Sequence, residues 1–200
     1  MEKDQAYEEI RYIRDMIEKT RRSAAGSGSY LIIWAVLVMI AIIGMHVLEA
    51  FKLYNWIWLD WIVWMGLGVV FTMVSAFRAQ RKNGVRTYAM TTVSYLWSAC
   101  GVAFLLLGFV FPLLGLYSWE PISVFISVVA GVALFVSGGI FHWNLLKWGG
   151  LLFWVGSVVM VFCPAEIRSL VFIPLILFGY LLPGIVYNRK YRTHGERHES

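Results

Sequence analysis

Tyr30-Leu-Ile-Ile-Trp-Ala-Val-Leu-Val-Met-Ile-Ala-Ile-Ile-Gly-Met-His-Val-Leu48 decides the fold. No Lys, Arg, Asp or Glu interrupts these 19 residues. At about 1.5 Å per residue they make a helix of about 29 Å, which matches the ~30 Å hydrocarbon core of a bilayer. Comparable stretches recur at 56–77, 88–111 (stopped by Pro112), 122–141, 148–163 and 169–187. The reading is an all-α integral membrane protein with six transmembrane helices, arranged as three helical hairpins.

Composition agrees. Of the 200 residues 60% are apolar, and the charged ones crowd the two ends. Residues 1–28 hold twelve of the 29 charges and residues 189–200 hold six, so the 160 residues between them carry eleven. A soluble surface cannot stay wet on so few. Three segments follow: 1–28, a helix and Gly/Ser linker; 29–188, the six-span domain; and 189–200, a basic tail.

Residues 4–22 read as a cytosolic amphipathic helix. Ala6, Ile10, Ile13 and Ile17 are spaced by four, three and four, which places them in one apolar stripe. Asp15 with Lys19, and Glu18 with Arg22, are acid-before-base pairs one turn apart. Ser23-Ala-Ala-Gly-Ser-Gly-Ser29 reads as a flexible linker. So short a helix needs a surface to dock on, and the stripe is the expected interaction site for a protein partner or a second copy.

Fifteen of the 17 Lys and Arg residues fall on one side of the six spans, leaving Lys52 and Arg168 on the other. The positive-inside rule then puts both termini in the cytoplasm. Anionic lipid at the inner leaflet accounts for the net charge of +5, so nucleic acid is not an expected partner.

Ile10-Arg11-x-Ile13-Arg14-x-Met16-Ile17-Glu18-Lys19-Thr20, the Gly/Ser linker and a Trp-bearing first span resemble a loose group of uncharacterised bacterial multi-pass membrane proteins. The resemblance covers about the first 45 residues. It implies a bacterial inner-membrane setting and carries no activity, cofactor or ligand set.

The polar residues inside the spans are the other candidates. His46 and Glu49 share a face at the end of span 1, and Asp60 lies one turn into span 2 among Trp56, Trp58, Trp61 and Trp64. An intramembrane carboxylate is a functional hypothesis by default. Three readings are open: an interfacial Asp60 that reaches water or Lys52, a proton or ion role, and a metal site of His46, Glu49 and Asp60. Span 6 holds Pro174 and Pro183-Gly184, a hinge or a static kink. In span 4, Ser127, Gly131 and Gly139 are expected to share a close-packing face. No nucleotide loop, zinc motif or catalytic-serine motif is present. The expected function is therefore a non-enzymatic, cofactor-free regulatory, sensory or assembly subunit. The alternative is a small channel or transporter that uses Asp60 and the kinked sixth span.

Overall fold

The structure is a computed structural model. It describes the backbone of residues 2–82 and 88–195, and the side chains of residues 7, 8, 11, 28–78 and 88–189. Helix accounts for 90% of it, with no strand among the described residues. Six helices are long and apolar enough to cross a membrane: Gly28–Ala50, Tyr54–Arg78, Tyr88–Leu113, Ile122–Ile140, Asn144–Phe162 and Ala165–Arg189. They are numbered here as spans 1 to 6. The underlying helices are α1 (Glu2–Ala50), α2 (Ile57–Lys82), α3 (Tyr88–Leu105), α4 (Ile122–Ile140), α5 (Asn144–Phe162), α6 (Ala165–Ile176) and α7 (Leu182–Gly195).

α1 departs from the sequence reading. Its 49 residues form one helix with no break at Ser23–Ser29, where a flexible linker is expected. A glycine costs a helix only about 1 kcal/mol, and packing accounts for Gly28. It is buried against span 6, where a Cβ would lie 3.2 Å from the Gly184 carbonyl oxygen and 3.4 Å from the Tyr187 ring. This glycine serves close approach, and it belongs to span 1. Ala6, Ile10, Ile13 and Ile17 lie on α1 outside the described side chains.

Spans 4 and 5 make the most extensive pairing. Span 1 packs on spans 2 and 6, span 5 on span 6, and span 3 on span 4. Spans 2 and 3, neighbours in sequence, form no extended contact among the described residues. The core therefore sits among spans 1, 4, 5 and 6, around Ala35, Ile42, Leu134, Phe153, Met160 and Ile176. Backbones approach closely where two glycines meet. A Cβ on Gly150 would lie 2.7 Å from the Gly131 carbonyl oxygen, and one on Gly149 would overlap the carbonyl oxygen of Gly179. Small residues at crossings favour association where burial from water offers no drive. Ser127 joins this contact, its buried hydroxyl donating to the Phe153 carbonyl at 2.9 Å.

Gly139 does not join it. It is exposed, with nothing within 4 Å of a Cβ, and Gly138 packs on Lys147 instead. Each step of four residues rotates about 40° around an α-helix, so twelve residues from Ser127 to Gly139 turn the face by about 120°. Eleven residues return it to within about 20°.

Helices that end without a cap residue share one solution. Leu53 N–H donates to Leu48 O at 2.8 Å, Leu116 N–H to Phe111 O at 3.0 Å, and Trp143 N–H to Gly138 O at 2.8 Å. Each is the six-to-one bond of a Schellman ending. The left-handed residue it requires is Lys52 (φ 58°), Gly115 (φ 76°) or His142 (φ 52°). His142, a polar residue at the end of span 4, thus has a backbone role, with its side chain exposed.

Spans 3 and 6 each contain a π-helical turn, at Leu106–Val110 and Leu177–Leu181. Their sequences match in pattern: Leu106-Leu-Gly-Phe-Val-Phe-Pro112 and Leu177-Phe-Gly-Tyr-Leu-Leu-Pro183. The pattern relates an odd-numbered span to an even-numbered one, which a hairpin repeat does not. Its proline explains a loop contact. Phe111 N–H donates five residues back, to Leu106 O. The next N–H in that register would be that of Pro112, which has none, so the Leu107 carbonyl is left over. The Tyr117 hydroxyl, in the connection between spans 3 and 4, donates to it. Burial raises the Tyr117 pKa above its ordinary value. Tyr117→Phe strands that carbonyl and is expected to cost roughly 1–3 kcal/mol. Thermal unfolding in detergent measures it, and an unchanged midpoint would remove the assignment.

Candidate functional site

The polar residues gather at the end of the bundle that carries the connections 1–2, 3–4 and 5–6. α1 brings His46 and Glu49 there three residues apart, which places them on one face. His46 Nδ1 lies 3.0 Å from Glu49 Oε2, and Ser169 Oγ of α6 lies 3.0 Å from His46 Nε2. A carboxylate only accepts, so Nδ1 donates to Glu49 and, in the neutral ring, Nε2 accepts from the Ser169 hydroxyl. The three side chains tie span 1 to span 6. The atom order matches a serine–histidine–acid relay. However, Ser169 sits within α6, where the N–H groups from Ile167 onward are already bonded, Ile167 N–H to Pro164 O at 3.1 Å. The arrangement is a lock between helices whose hydrogen-bond directions depend on one imidazole proton.

Asp60 is not part of that group. Its Oδ1 accepts from Trp64 Nε1 at 3.0 Å, one turn along α2. The carboxyl group lies against span 1 at Gly44, where a Cβ would come within 2.5 Å of Oδ1 and 3.1 Å of Cγ. Gly44 therefore opens the niche that Asp60 fills. The remaining oxygen, Oδ2, is buried without a hydrogen-bond partner. Asp60 thus meets Trp64, and it forms no ion pair with Lys52 among the described residues. Among the described residues no three of His, Cys, Asp and Glu come together as a metal-binding group. His46 and Glu49 meet each other, and Asp60 meets Trp64.

A second tie between spans 1 and 2 lies deeper. Trp34 Nε1 donates to Thr72 Oγ1 at 3.0 Å, and Thr72 donates on to the Gly68 carbonyl at 2.8 Å. Gly68 leaves room for the Trp34 ring, which a Cβ would meet at 2.8 Å. Arg168 caps span 5, its Nε donating to the carbonyls of Met160 and Cys163 at 3.1 Å each. Both cysteines, Cys100 and Cys163, are free.

At the residues of the expected hinge, Pro183 is fully buried. A Cβ on Gly184 would lie 3.0–3.2 Å from Ile32, the Gly28 carbonyl and Leu31. Pro174, in α6 nine residues before Pro183, is exposed. Of the three positions, Pro183 and Gly184 are buried, Gly184 against span 1, and Pro174 is not.

The sequence reading misses Ser169 and Gly44. Ser169 is 123 residues from His46. It could have been found by depth, because it is the first polar residue after Arg168 in span 6 and His46 is among the last in span 1. Gly44 and Asp60 lie at similar distances from the 1–2 connection, the same kind of signal.

Scans against protein-family models, curated proteins and solved structures each give no match to this chain.

Asp60→Asn keeps an acceptor for Trp64 and removes a charge that is costly in an apolar setting. Its stability is expected to stay within about 1 kcal/mol of wild type. Loss of folding, or a pH-dependent flux in reconstituted vesicles that the substitution abolishes, would instead favour an ion-conducting role.

Proposed function

We propose that this chain is a non-enzymatic multi-pass protein of a bacterial inner membrane that acts through protein contacts, as a regulatory, sensory or assembly subunit. Both termini are cytoplasmic, and α1 is the working element. The observation that carries this reading is the unbroken helix from Glu2 to Ala50. Residues 2–27 extend span 1 by about 39 Å at 1.5 Å per residue. A partner held by the stripe Ala6, Ile10, Ile13 and Ile17 would then be joined rigidly to span 1. The other end of that helix holds the lock of His46, Glu49 and Ser169. The resemblance to bacterial multi-pass proteins over the first 45 residues supports the same setting.

The rival reading, a small channel or transporter working through Asp60 and span 6, draws support from the orphaned Asp60 oxygen. Against it, span 2 packs on span 1 and makes no extended contact with span 6 among the described residues.

Topology is tested by cysteine labelling. A cysteine at Ser118 is expected to react with an impermeant reagent from the periplasm, and one at Asn83 only after permeabilisation. Reaction at residue 83 in intact cells would overturn the orientation. Function is tested by partner pull-down with and without residues 1–28, beside a flux assay in vesicles with Asp60→Asn. Partners lost with the helix, and no flux in either form, is the expected pair of results.

A further inference from the structure

The turn from span 1 to span 2 recurs, bond for bond, between spans 4 and 5. After Ala50, Phe51 N–H donates to Val47 O, Lys52 N–H to Glu49 O and Leu53 N–H to Leu48 O. After Ile140, Phe141 N–H donates to Ser137 O, His142 N–H to Gly139 O and Trp143 N–H to Gly138 O. Each turn puts its left-handed residue at the same place, Lys52 or His142, although neither is glycine. The sequence repeats with the backbone, 90 residues on: Phe51, Trp58, Trp64 and Gly66 return as Phe141, Trp148, Trp154 and Gly156. Spans 1 and 2 thus match spans 4 and 5, and the shared π turns already pair span 3 with span 6. The packing obeys the same exchange, since span 1 packs on spans 2 and 6 and span 4 packs on spans 5 and 3. One contact breaks the rule. Span 5 packs on span 6, where a Cβ on Gly156 would overlap the Leu175 side chain. The counterpart Gly66 has nothing within 4 Å, and spans 2 and 3 form no extended contact among the described residues. Aligned on the π turns, Leu175 corresponds to Phe104.

We propose that the six spans are an inverted repeat of two three-span halves, 28–113 and 122–189, which exchanges between two conformations. An odd number of crossings turns the second half upside down relative to the first. Halves related in this way can rock about an axis in the membrane plane. Because the halves are built alike, closing either one makes similar contacts, and the two conformations lie close in free energy. Here the second half is closed and the first is open. In the other conformation span 3 closes on span 2, with Phe104 against Gly66, and span 6 leaves span 5. Gly66 and Gly156 are the small residues that let either pair approach to the about 8–10 Å of packed helices. Span 1 touches both span 2 and span 6, so the exchange moves α1. The proposal is independent of what α1 contacts.

Double electron–electron resonance on the full-length protein in lipid nanodiscs tests it, with Cys100→Ala and Cys163→Ala so that only introduced cysteines carry spin labels. Leu67→Cys with Val102→Cys reports on spans 2 and 3, and Val155→Cys with Phe178→Cys on spans 5 and 6; all four positions are exposed. Gly149→Ala acts against the contact between spans 5 and 6. It is expected to lengthen the 5–6 distance and shorten the 2–3 distance in the same fraction of molecules. A longer 5–6 distance with the 2–3 distance unchanged is local damage and overturns the exchange, and so do two unchanged distances. Disulfide crosslinking in native membranes gives a second measurement that does not need Gly149→Ala to fold. Gly156→Cys with Leu175→Cys, in contact here, is the control pair. Gly66→Cys with Phe104→Cys is expected to close within one chain as well, which requires their Cα atoms to come within about 7 Å. If only the control pair closes, or if the Gly66 and Phe104 pair links only separate copies, the proposal is overturned.

Discussion

Gly149→Ala is expected to unlock the centre of the bundle. The added methyl would overlap the carbonyl oxygen of Gly179, which is backbone and cannot swing aside as a side chain does. Gly179 itself is wedged, since a Cβ there would lie 2.9 Å from the Phe153 ring. Spans 5 and 6 must therefore separate, and Phe153, the largest fully buried side chain, loses its fit. Overpacking a core costs about 1–3 kcal/mol when side chains can adjust. Backbone on both sides puts this substitution at or above the top of that range. Gly139→Ala is the matched control, because nothing lies within 4 Å of the position and alanine favours the helix by up to about 1 kcal/mol. Unfolding of the two variants in detergent should therefore move in opposite directions. Equal midpoints would mean that the glycine crossings do not carry the packing.

Much of this architecture was legible from residues. Apolar runs, uncharged but for Asp60 in span 2, locate all six spans, because a helix in lipid must be apolar over a fixed length. The structure moves their ends by a few residues, as at Gly28–Ala50 against 30–48. Ser127 and Gly131 were readable as a packing face, since short spacings keep helical phase. Gly139 was not, because a spacing of four drifts out of phase over three turns. The linker reading failed for a related reason. Gly and Ser signal flexibility when nothing packs on them, but Gly28 has Gly184 against it. At the candidate site, His46, Glu49 and Asp60 stand out by polarity, yet polarity does not say which of them meet. Ser169 and Gly44 decided that, each from another helix, and no local pattern names a partner 123 residues away. The π turns of spans 3 and 6 were present in the sequence as a shared Gly–aromatic–x–x–Pro pattern, visible only once the backbone marks where to align it.

The stripe on α1 is where the functional account stands or falls. Ile10, Ile13 and Ile17 could each contribute roughly 1.5–3 kcal/mol on burial, several kcal/mol in all. That is enough to hold a partner only if a surface receives them, and each lost isoleucine weakens binding by about tenfold or more. Ile10→Ser with Ile13→Ser removes most of this contact while leaving every charge, and hence the topology signal, in place. The six spans should still insert and fold with an unchanged midpoint. The most direct measurement is quantitative pull-down of partners, including tagged copies of the chain itself, by the double mutant beside wild type at equal expression. The account predicts that bound partner falls by at least about tenfold. Full retention of every partner would contradict it, leaving the helix as a device that supplies positive charge to the cytoplasmic side.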